Sequence, residues 1–431
     1  MNYLNNKNIT FISLLGFLPA IAFAGQDSGL AVKVSGSVDT QYGIVKQEDN
    51  FKKDLKSDKE YNQQGLAGSG SLKFNIEKKN ENDLKYGAFV KLDADIEGDK
   101  ELKGIAKELK IYLEGNFGKV ELGSTDPVGC SMEVNSYSIA RATGGLSGDW
   151  KSWLKNGYVI KQVNGSKKVV DNGFLTAPRL PIGFDESNKA NKINYFSPNI
   201  NGITFGISYT PDSNAKGTAE QVKETLKDVS GRYKNIWQPT LRYEKESDNG
   251  VKFTTAILGQ FGNAKDHSYW TKKDDIDKEK PNGYKEREDL RAWQVGGSIE
   301  YNGFAFAGSY GDFGKSGIPK DVDENNKKGA DYWSLGSAYS GDKYGISINY
   351  MQSKRAGYIY SKVESEANEQ KDAKGFNKFE AISVGADYEV MPGFMPYVEL
   401  TGFKFKENEN FGKDAKFNKG MVFLAGTKIK F

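Results

Sequence analysis

Residues that could perform covalent chemistry are scarce in this chain. His267 is the single histidine and Cys130 the single cysteine among 431 residues. A serine or cysteine nucleophile needs a neighbouring base, and His267 is the only histidine that could act as one. A lone cysteine also excludes an internal disulfide framework. The sequence therefore predicts no enzymatic activity and no cofactor.

One segment has the residue types of a calcium-binding loop. The residues from Asp321 to Asn325 are similar to the start of such a loop. A calcium loop of the EF-hand kind needs glycine at its sixth position and glutamate at its twelfth, where this chain has Asn326 and Tyr332. We therefore expect no calcium site and no other metal site, and weaker binding of divalent ions by loop carboxylates stays open.

The remaining functional groups are charged side chains, and they recur at alternate positions along the chain. Between residues 30 and 44 one set of alternate positions is apolar or small and the other is polar. The first set reads Leu30, Val32, Val34, Gly36, Val38, Thr40, Tyr42 and Ile44, and the second reads Ala31, Lys33, Ser35, Ser37, Asp39, Gln41 and Gly43. The pattern recurs from Leu84 to Ile96. Since successive side chains of a strand point to opposite faces, both segments are predicted strands with one polar face.

These polar faces decide between a soluble sandwich and a membrane barrel. A dry core would leave inward charges unpaired, whereas a water-filled lumen removes that cost. Beyond the N-terminal region no stretch approaches the roughly 20 apolar residues of a spanning helix, and the mean hydropathy is −0.63. A barrel is the one spanning structure whose sequence can be this polar. Its predicted inward charges on the early strands are Lys33, Lys73, Lys85, Lys91, Asp93, Asp95, Glu108, Lys110 and Glu114.

Alternation and turn residues together predict sixteen strands. They lie at about 30–45, 70–77, 84–96, 107–115, 119–124, 191–197, 203–210, 237–244, 251–261, 291–301, 304–310, 331–339, 344–350, 379–388, 396–404 and 420–431. Short turns, such as the hairpin signal Asn302-Gly303, alternate strictly with long connections, of which 125–190 is the longest. That alternation is typical of outer-membrane barrels, where short turns face the periplasm. The predicted fold class is an all-β transmembrane antiparallel barrel.

Aromatic residues are sorted to the predicted strand ends. One set is expected at the rim of the long loops, namely Tyr209, Trp237, Trp293, Tyr310, Trp333 and Tyr350, and the other at the rim of the short turns, namely Tyr243, Tyr301 and Tyr339. Two aromatic girdles with an apolar band between them are typical of membrane barrels. Aromatic residues that merely filled a soluble core would not be sorted in this way.

The N-terminal residues predict a cleaved signal peptide. Lys7 precedes an apolar run from Phe11 to Leu18, and the small-residue box Ala22-Phe23-Ala24 follows it. We expect cleavage after Ala24, so that residues 1–24 are the signal peptide and 25–431 the barrel domain. Basic and acidic residues are nearly balanced, at 60 and 57, so no nucleic-acid partner is expected.

Three segments, in order along the chain, resemble Gram-negative general porins. The first is GNFGKVELG at Gly115–Gly123, and the second is NYFSPNINGITFGISY at Asn194–Tyr209, which includes a turn similar to the family's Tyr-x-Ser-Pro element. The third is the final strand, Gly420–Phe431, which ends on an aromatic residue. The resemblance implies a homotrimer of sixteen-stranded barrels in the outer membrane, each constricted by a third loop that folds into the pore, here about 125–190.

The chain departs from the family pattern near the expected constriction. Ser124 stands where many members have a basic residue, and the third loop lacks the Pro-Glu-Phe-Gly element of some porins. The constriction is therefore assigned from this sequence alone. Our candidates are three inward bases on neighbouring strands, Lys73, Lys91 and Lys110, facing residues of the third loop, Asp126, Glu133, Arg141 and Asp149. Acids on the loop opposite a basic wall would produce a transverse field.

The function predicted from these features is passive diffusion of ions and small hydrophilic solutes through a water-filled outer-membrane channel. Expected partners are those solutes, outer-membrane lipid and lipopolysaccharide, and two further copies of the chain. One alternative is a surface structural or adhesive barrel that acts through its long loops and whose conductance is incidental. A second is an outer-membrane hydrolase, for which His267 is the only candidate histidine.

Overall fold

The computed structural model describes the chain from residue 29 to residue 431 with gaps. The described residues are 29–54, 59–93, 106–154, 158–163, 166–171, 187, 189–217, 233–265, 267–268, 284–285, 287–318, 320, 329–356, 376–406 and 417–431. The predicted signal peptide at 1–24 lies outside them, as do Asp95 and the segment from Asp321 to Asn326.

Sixteen antiparallel strands close into a barrel in which each strand pairs with its sequence neighbours and the last pairs with the first. The strands are β1 Leu30–Lys46, β2 Gln64–Lys79, β3 Lys85–Asp93, β4 Ala106–Gly115, β5 Gly118–Ser124, β6 Asn191–Phe196, β7 Ile203–Asp212, β8 Tyr233–Glu246, β9 Lys252–Ala264, β10 Leu290–Tyr301, β11 Phe304–Gly314, β12 Ala330–Ser340, β13 Tyr344–Ala356, β14 Phe376–Tyr388, β15 Phe394–Lys406 and β16 Phe417–Lys430. The predicted fold class and strand order are confirmed.

Short and long connections alternate around the barrel as predicted, and they define a short-turn end and a long-loop end. The Asn302-Gly303 hairpin has φ values of 47° and 81°, which the type I′ turn requires at both central residues. Several strands are longer than predicted at the long-loop end. For example, β2 begins at Gln64 rather than at residue 70, because Gln64 to Ser69 pair with Ile44 to Asp39 of β1.

The described parts of the long connections contain small elements of their own. One helix, α1, spans Val128–Met132, and 3₁₀ turns span Asp49–Phe51, Ser136–Ile139, Gly145–Ser147 and Asp149–Trp153. Three two-stranded ladders join Lys53–Asp54 to Lys59–Glu60, Tyr158–Val163 to Ser166–Asp171, and His267–Ser268 to Tyr284–Lys285. Within the described part of the chain, no helix has the length and apolar character needed to cross a bilayer.

The two faces of the strands differ as the alternation predicts. On β1, the outward Val38 is 51% exposed, whereas the adjacent inward Asp39 is 6% exposed. At the long-loop rim, outward aromatic rings pair across strands, with centroids 4.6 Å apart for Tyr209 and Trp237 and 5.1 Å apart for Trp333 and Tyr350. Similar pairs such as Phe304 and Tyr339, 4.7 Å apart, lie at the short-turn rim. The apolar band between these girdles suits a bilayer.

The inner face is not polar throughout, which differs from the expectation of a fully hydrated lumen. Towards the long-loop end, inward residues of several strands form an apolar core inside the barrel, to which the 125–190 connection contributes Val134, Leu146 and Trp150. The wall residues of this core from β14 to β16 are Phe379, Ala381, Phe403, Phe405, Val422 and Leu424. Alternation identifies which side chains point inward, but these particular ones are covered by another part of the chain rather than by water.

Candidate functional site

The first half of the third loop, residues 125–154, lies against the inner face of the barrel. Its backbone N–H groups donate to inward side chains in succession around the wall. Val128 donates to Ser208 of β7 over 2.8 Å, Ser136 to Ser334 of β12 over 3.3 Å, and Arg141 to Ser347 of β13 over 2.8 Å. Thr143 then donates to Glu399 of β15 over 3.1 Å. We call residues 125–154 the inner segment.

Inward glycines let the backbone of the inner segment approach the wall. A Cβ atom placed on Gly296 of β10 would collide with the Val134 carbonyl oxygen, and one on Gly336 of β12 would lie 3.0 Å from the Ser136 Cβ. The same holds on β14, where a Cβ on Gly385 would lie 3.1 Å from that of Ala142. The sequence of the wall strands therefore determines the path of the inner segment together with the sequence of the loop itself.

An apolar anchor holds the far end of the inner segment. Leu146 and Trp150 are each 1% exposed, and the Trp150 indole donates to the Leu146 carbonyl over 3.1 Å. The Trp150 ring stacks on Phe403 at 5.7 Å and on Phe379 at 6.2 Å between centroids. Burial of one such aromatic side chain contributes a few kcal/mol, so this contact keeps the segment on the β14–β15 side of the lumen.

Polar contacts tie the two ends of the third loop together. Lys189, near its C-terminal end, lies 2.9 Å from Asp126 and 3.5 Å from Glu108 of β4. Lys192 of β6 donates to the carbonyls of Thr125 and Ala190. Burial lowers the pKa of Lys189, but its contacts with the two carboxylates outweigh burial and raise that pKa. The base of the loop is therefore fixed to β4, β5 and β6.

The three predicted bases differ in their surroundings. Lys73 of β2 and Lys91 of β3 lie directly opposite each other on the lumen face. Lys73 is exposed, and among the described residues Lys91 has one ion pair, a long one to Asp93 at 3.8 Å. Lys110 of β4 instead lies 3.1 Å from Glu121 and 3.3 Å from Glu108, so its charge is balanced locally.

The predicted loop residues do not converge on one point. Asp126 pairs with Lys189 at the loop base, and Glu133 accepts a hydrogen bond from Tyr137 over 3.2 Å. Arg141 reaches the short-turn end, where it lies 2.5 Å from Asp387 of β14.

Asp149 lies against β1, four strands around the barrel from β5. It accepts a 3.4 Å hydrogen bond from Gln41, and burial together with the nearby Asp39 carboxylate raises the pKa of Asp149. The four predicted loop residues are thus distributed along the inner segment. Of the four, Asp149 is the one that contacts β1.

Two inward carboxylates that position the loop were missed by the sequence analysis. Glu399 accepts hydrogen bonds from the N–H groups of Thr143 and Gly145 and from the Thr143 hydroxyl, at 3.1, 3.1 and 2.7 Å. Asp387 accepts one from the Ala142 N–H over 3.0 Å. Alternation places both side chains inward, but whether an inward acid meets water or the loop depends on the loop's path. On β1–β5 the lumen face instead presents exposed or partly exposed Lys33, Lys73, Asn75, Phe89, Lys91 and Lys110.

Comparison with known proteins gives a family and a fold. The family model described as Gram-negative porin matches residues 12–408. An uncharacterized protein of Rickettsia conorii is 26% identical over 356 residues, covering 74% of this chain and 75% of its own length. Outer membrane porin F of Escherichia coli strain K12 is 30% identical over 121 residues, which are 27% of this chain and 32% of that protein.

Solved structures show the same architecture. OmpT of Vibrio cholerae superimposes with a TM-score of 0.55 at 12% identity, covering 96% of this chain and 100% of its own. An anion-selective porin from Comamonas acidovorans gives a TM-score of 0.51 at 16% identity, covering 93% and 100%. With the closed sixteen-stranded barrel and a family match over most of its length, this chain belongs to the Gram-negative porin family and is an outer-membrane channel protein.

Proposed function

We propose that ions and small hydrophilic solutes diffuse along the gap between the inner segment and the lumen face of β1–β5. The observation that carries this proposal is the one-sided course of the segment. Thr125 ties the base of the segment to Glu108 of β4. Beyond it, the backbone N–H groups of the segment donate to wall residues from β7 to β15, and Asp149 then accepts a hydrogen bond from Gln41 of β1. The lysines of β2 and β3 keep their exposure to the lumen. Passage needs no cofactor and no covalent step.

Selectivity in this proposal comes from charge on the two sides of the gap. Lys73 and Lys91 supply the basic side, and Asp149 on the loop supplies an acidic group. Lys110 adds less to the field than its inward position alone predicts, because Glu108 and Glu121 lie within 3.3 Å of it. Charged groups that line a narrow aqueous pore raise the local concentration of ions of the opposite sign.

The test is ion selectivity in planar bilayers across a salt gradient. Changing Lys73, Lys91 and Lys110 together to Glu is expected to move the reversal potential toward that of a cation-selective channel. Lys245→Glu, an exposed charge on the outward face of β8, is the matched control and should leave it unchanged. An unchanged reversal potential in the triple variant would contradict this charge assignment, and absence of any current in the unmodified protein would contradict the channel itself.

We further propose that the apolar outer face is covered by outer-membrane lipid, by lipopolysaccharide at the long-loop rim and by two further copies of the chain. Outward side chains such as Leu66, Ile111 and Leu335 are 78%, 58% and 59% exposed in the isolated chain. An apolar surface of this extent marks a contact with membrane or with another protein. One structure of the similar Vibrio cholerae OmpT is described as a trimer form.

A further inference from the structure

Phe89 is an apolar residue on the polar lumen wall. It belongs to β3 and faces inward, directly opposite Asn75 of β2 and Lys110 of β4. Its nearest inward neighbours along β3 are Gly87 and Lys91. Phe89 therefore lies at the centre of a patch whose other members are polar or basic.

Four other inward phenylalanines are explained by packing, but Phe89 is not. Phe313, Phe379, Phe403 and Phe405 are all buried in the apolar core that the inner segment completes. Phe89 keeps part of its ring exposed to the lumen. An exposed apolar ring in an aqueous channel costs free energy. What distinguishes Phe89 from the partly exposed Phe196 of β6 is its position beside the opposed Lys73 and Lys91.

Two of the charges beside Phe89 also repel each other. Lys73 and Lys91 are cross-strand partners, and like charges directly opposite each other destabilise a sheet. Within the part of the chain that the structure describes, Lys73 forms no ion pair, and the Asp93 carboxylate lies 3.8 Å from Lys91. The Lys110 ammonium lies 5.4 Å from the centroid of the Phe89 ring. An anion between Lys73 and Lys91 would offset their repulsion.

We propose that Phe89 with Lys73, Lys91 and Lys110 forms a binding platform for aromatic carboxylates in transit through the pore. The solute ring stacks on Phe89, and its carboxylate lies between Lys73 and Lys91. This proposal rests on the channel function above and adds a solute class to it. A simple anion would contact only the lysine ammonium groups. A neutral sugar would form neither the ion pairs with the lysines nor a ring-on-ring stack with Phe89.

The experiment is a titration of single-channel current in KCl with benzoate as the probe and acetate as the probe without a ring. Benzoate is expected to reduce the current with a saturating concentration dependence, and acetate is not expected to do so over the same range. Phe89→Leu should raise the half-blocking benzoate concentration about 2- to 10-fold, the loss of one stacking contact. The double variant Lys73→Gln/Lys91→Gln should abolish the saturable block.

The matched control is Phe196→Leu, since Phe196 is another inward, partly exposed phenylalanine, located at the end of β6 and opposite Lys119. Its benzoate titration and its KCl current should equal those of the unmodified channel. The platform is overturned if Phe89→Leu titrates like the unmodified channel or if acetate blocks as well as benzoate does. Loss of KCl current in the unmodified protein would instead overturn the channel function, and with it the platform.

Discussion

At the scale of single residues, the inward charges of this barrel have different environments although the sequence presents them alike. Lys73 and Lys91 oppose each other on an open wall, whereas Lys110 is held between two glutamates. Asp149 is on the loop, partly buried beside Asp39, and Arg141 is paired with Asp387. The charge that a passing ion experiences therefore depends on the partner of each group as well as on the count of groups.

We expect Asp149 to make the ion selectivity of the channel depend on pH. Burial and the Asp39 carboxylate raise the pKa of Asp149 above its ordinary 3.8, so it is charged above that raised pKa and takes up a proton as the pH falls through it. An acidic group that is neutralised no longer attracts cations. Between about pH 7 and about pH 4 we expect the channel to become less cation-preferring, and Asp149→Asn to reduce this change.

The measurement is the reversal potential at each pH for the unmodified protein and for Asp149→Asn. Asp83→Asn serves as the control, because Asp83 is an exposed acid on a short turn, paired with Lys79. Identical pH curves for the unmodified protein and Asp149→Asn would show that Asp149 does not contribute.

At the scale of elements, the third loop and the barrel wall are matched to each other. The wall offers inward glycines where the loop backbone passes, hydroxyls and carboxylates where its N–H groups point, and apolar side chains where Trp150 packs. Gly296 is the closest of these approaches, because a Cβ there would meet the Val134 carbonyl.

Gly296→Ala is expected to push the inner segment away from β10 and into the lumen. Overpacking of this kind costs about 1–3 kcal/mol, so the segment should move while the barrel still assembles. We expect a lower and noisier single-channel conductance, measured in planar bilayers.

Gly297→Ala provides the matched control on the adjacent, outward position of β10. An added Cβ at Gly297 would lie at an ordinary 3.6 Å from the Thr254 carbonyl oxygen. Both variants change the strand propensity of β10 equally, so only the direction of the new methyl group differs. Equal conductance in the two variants would contradict the proposed role of Gly296.

At the scale of the whole molecule, stability in the membrane depends on closure of the barrel. β16 pairs with β1 from Met421 opposite Lys46 to Lys430 opposite Ser37, and the Phe431 backbone continues the ladder by exchanging hydrogen bonds with Gly36 at 2.8 and 3.1 Å. Closure leaves no unpaired strand edge in the bilayer, where unsatisfied backbone groups cost several kcal/mol each.

Deletion of Phe431 is expected to impair assembly before it impairs conduction, because it removes the last pair of bonds and the ring that lies on Gly36. The measurement is the fraction of protein in outer membranes that migrates as folded barrel without heating. We expect the deletion to lower this folded fraction severalfold, because the lost contacts contribute about 1–2 kcal/mol to the stability of the barrel. Phe431→Tyr keeps the ring and the backbone and should assemble normally; normal assembly of the deletion variant would refute this role.

The strands could be predicted because their signal is local. Each membrane strand repeats every two residues, and each short turn needs particular residues, as Asn302 and Gly303 show with their positive φ values. The predicted strand ends were less accurate, as at β2 and β8, because strands continue beyond the bilayer wherever a partner strand is present.

The amino-acid sequence by itself determined the barrel, its strand order and which side chains point inward, since these follow from alternation and turn chemistry within short windows. Only the tertiary structure decided where the third loop runs, which inward residues it covers, and that Lys110 is paired while Lys73 is open to the lumen. The physical reason is distance along the chain. Trp150 meets Phe403, and Thr143 meets Glu399, across more than half of the barrel sequence, and no local pattern encodes such a contact.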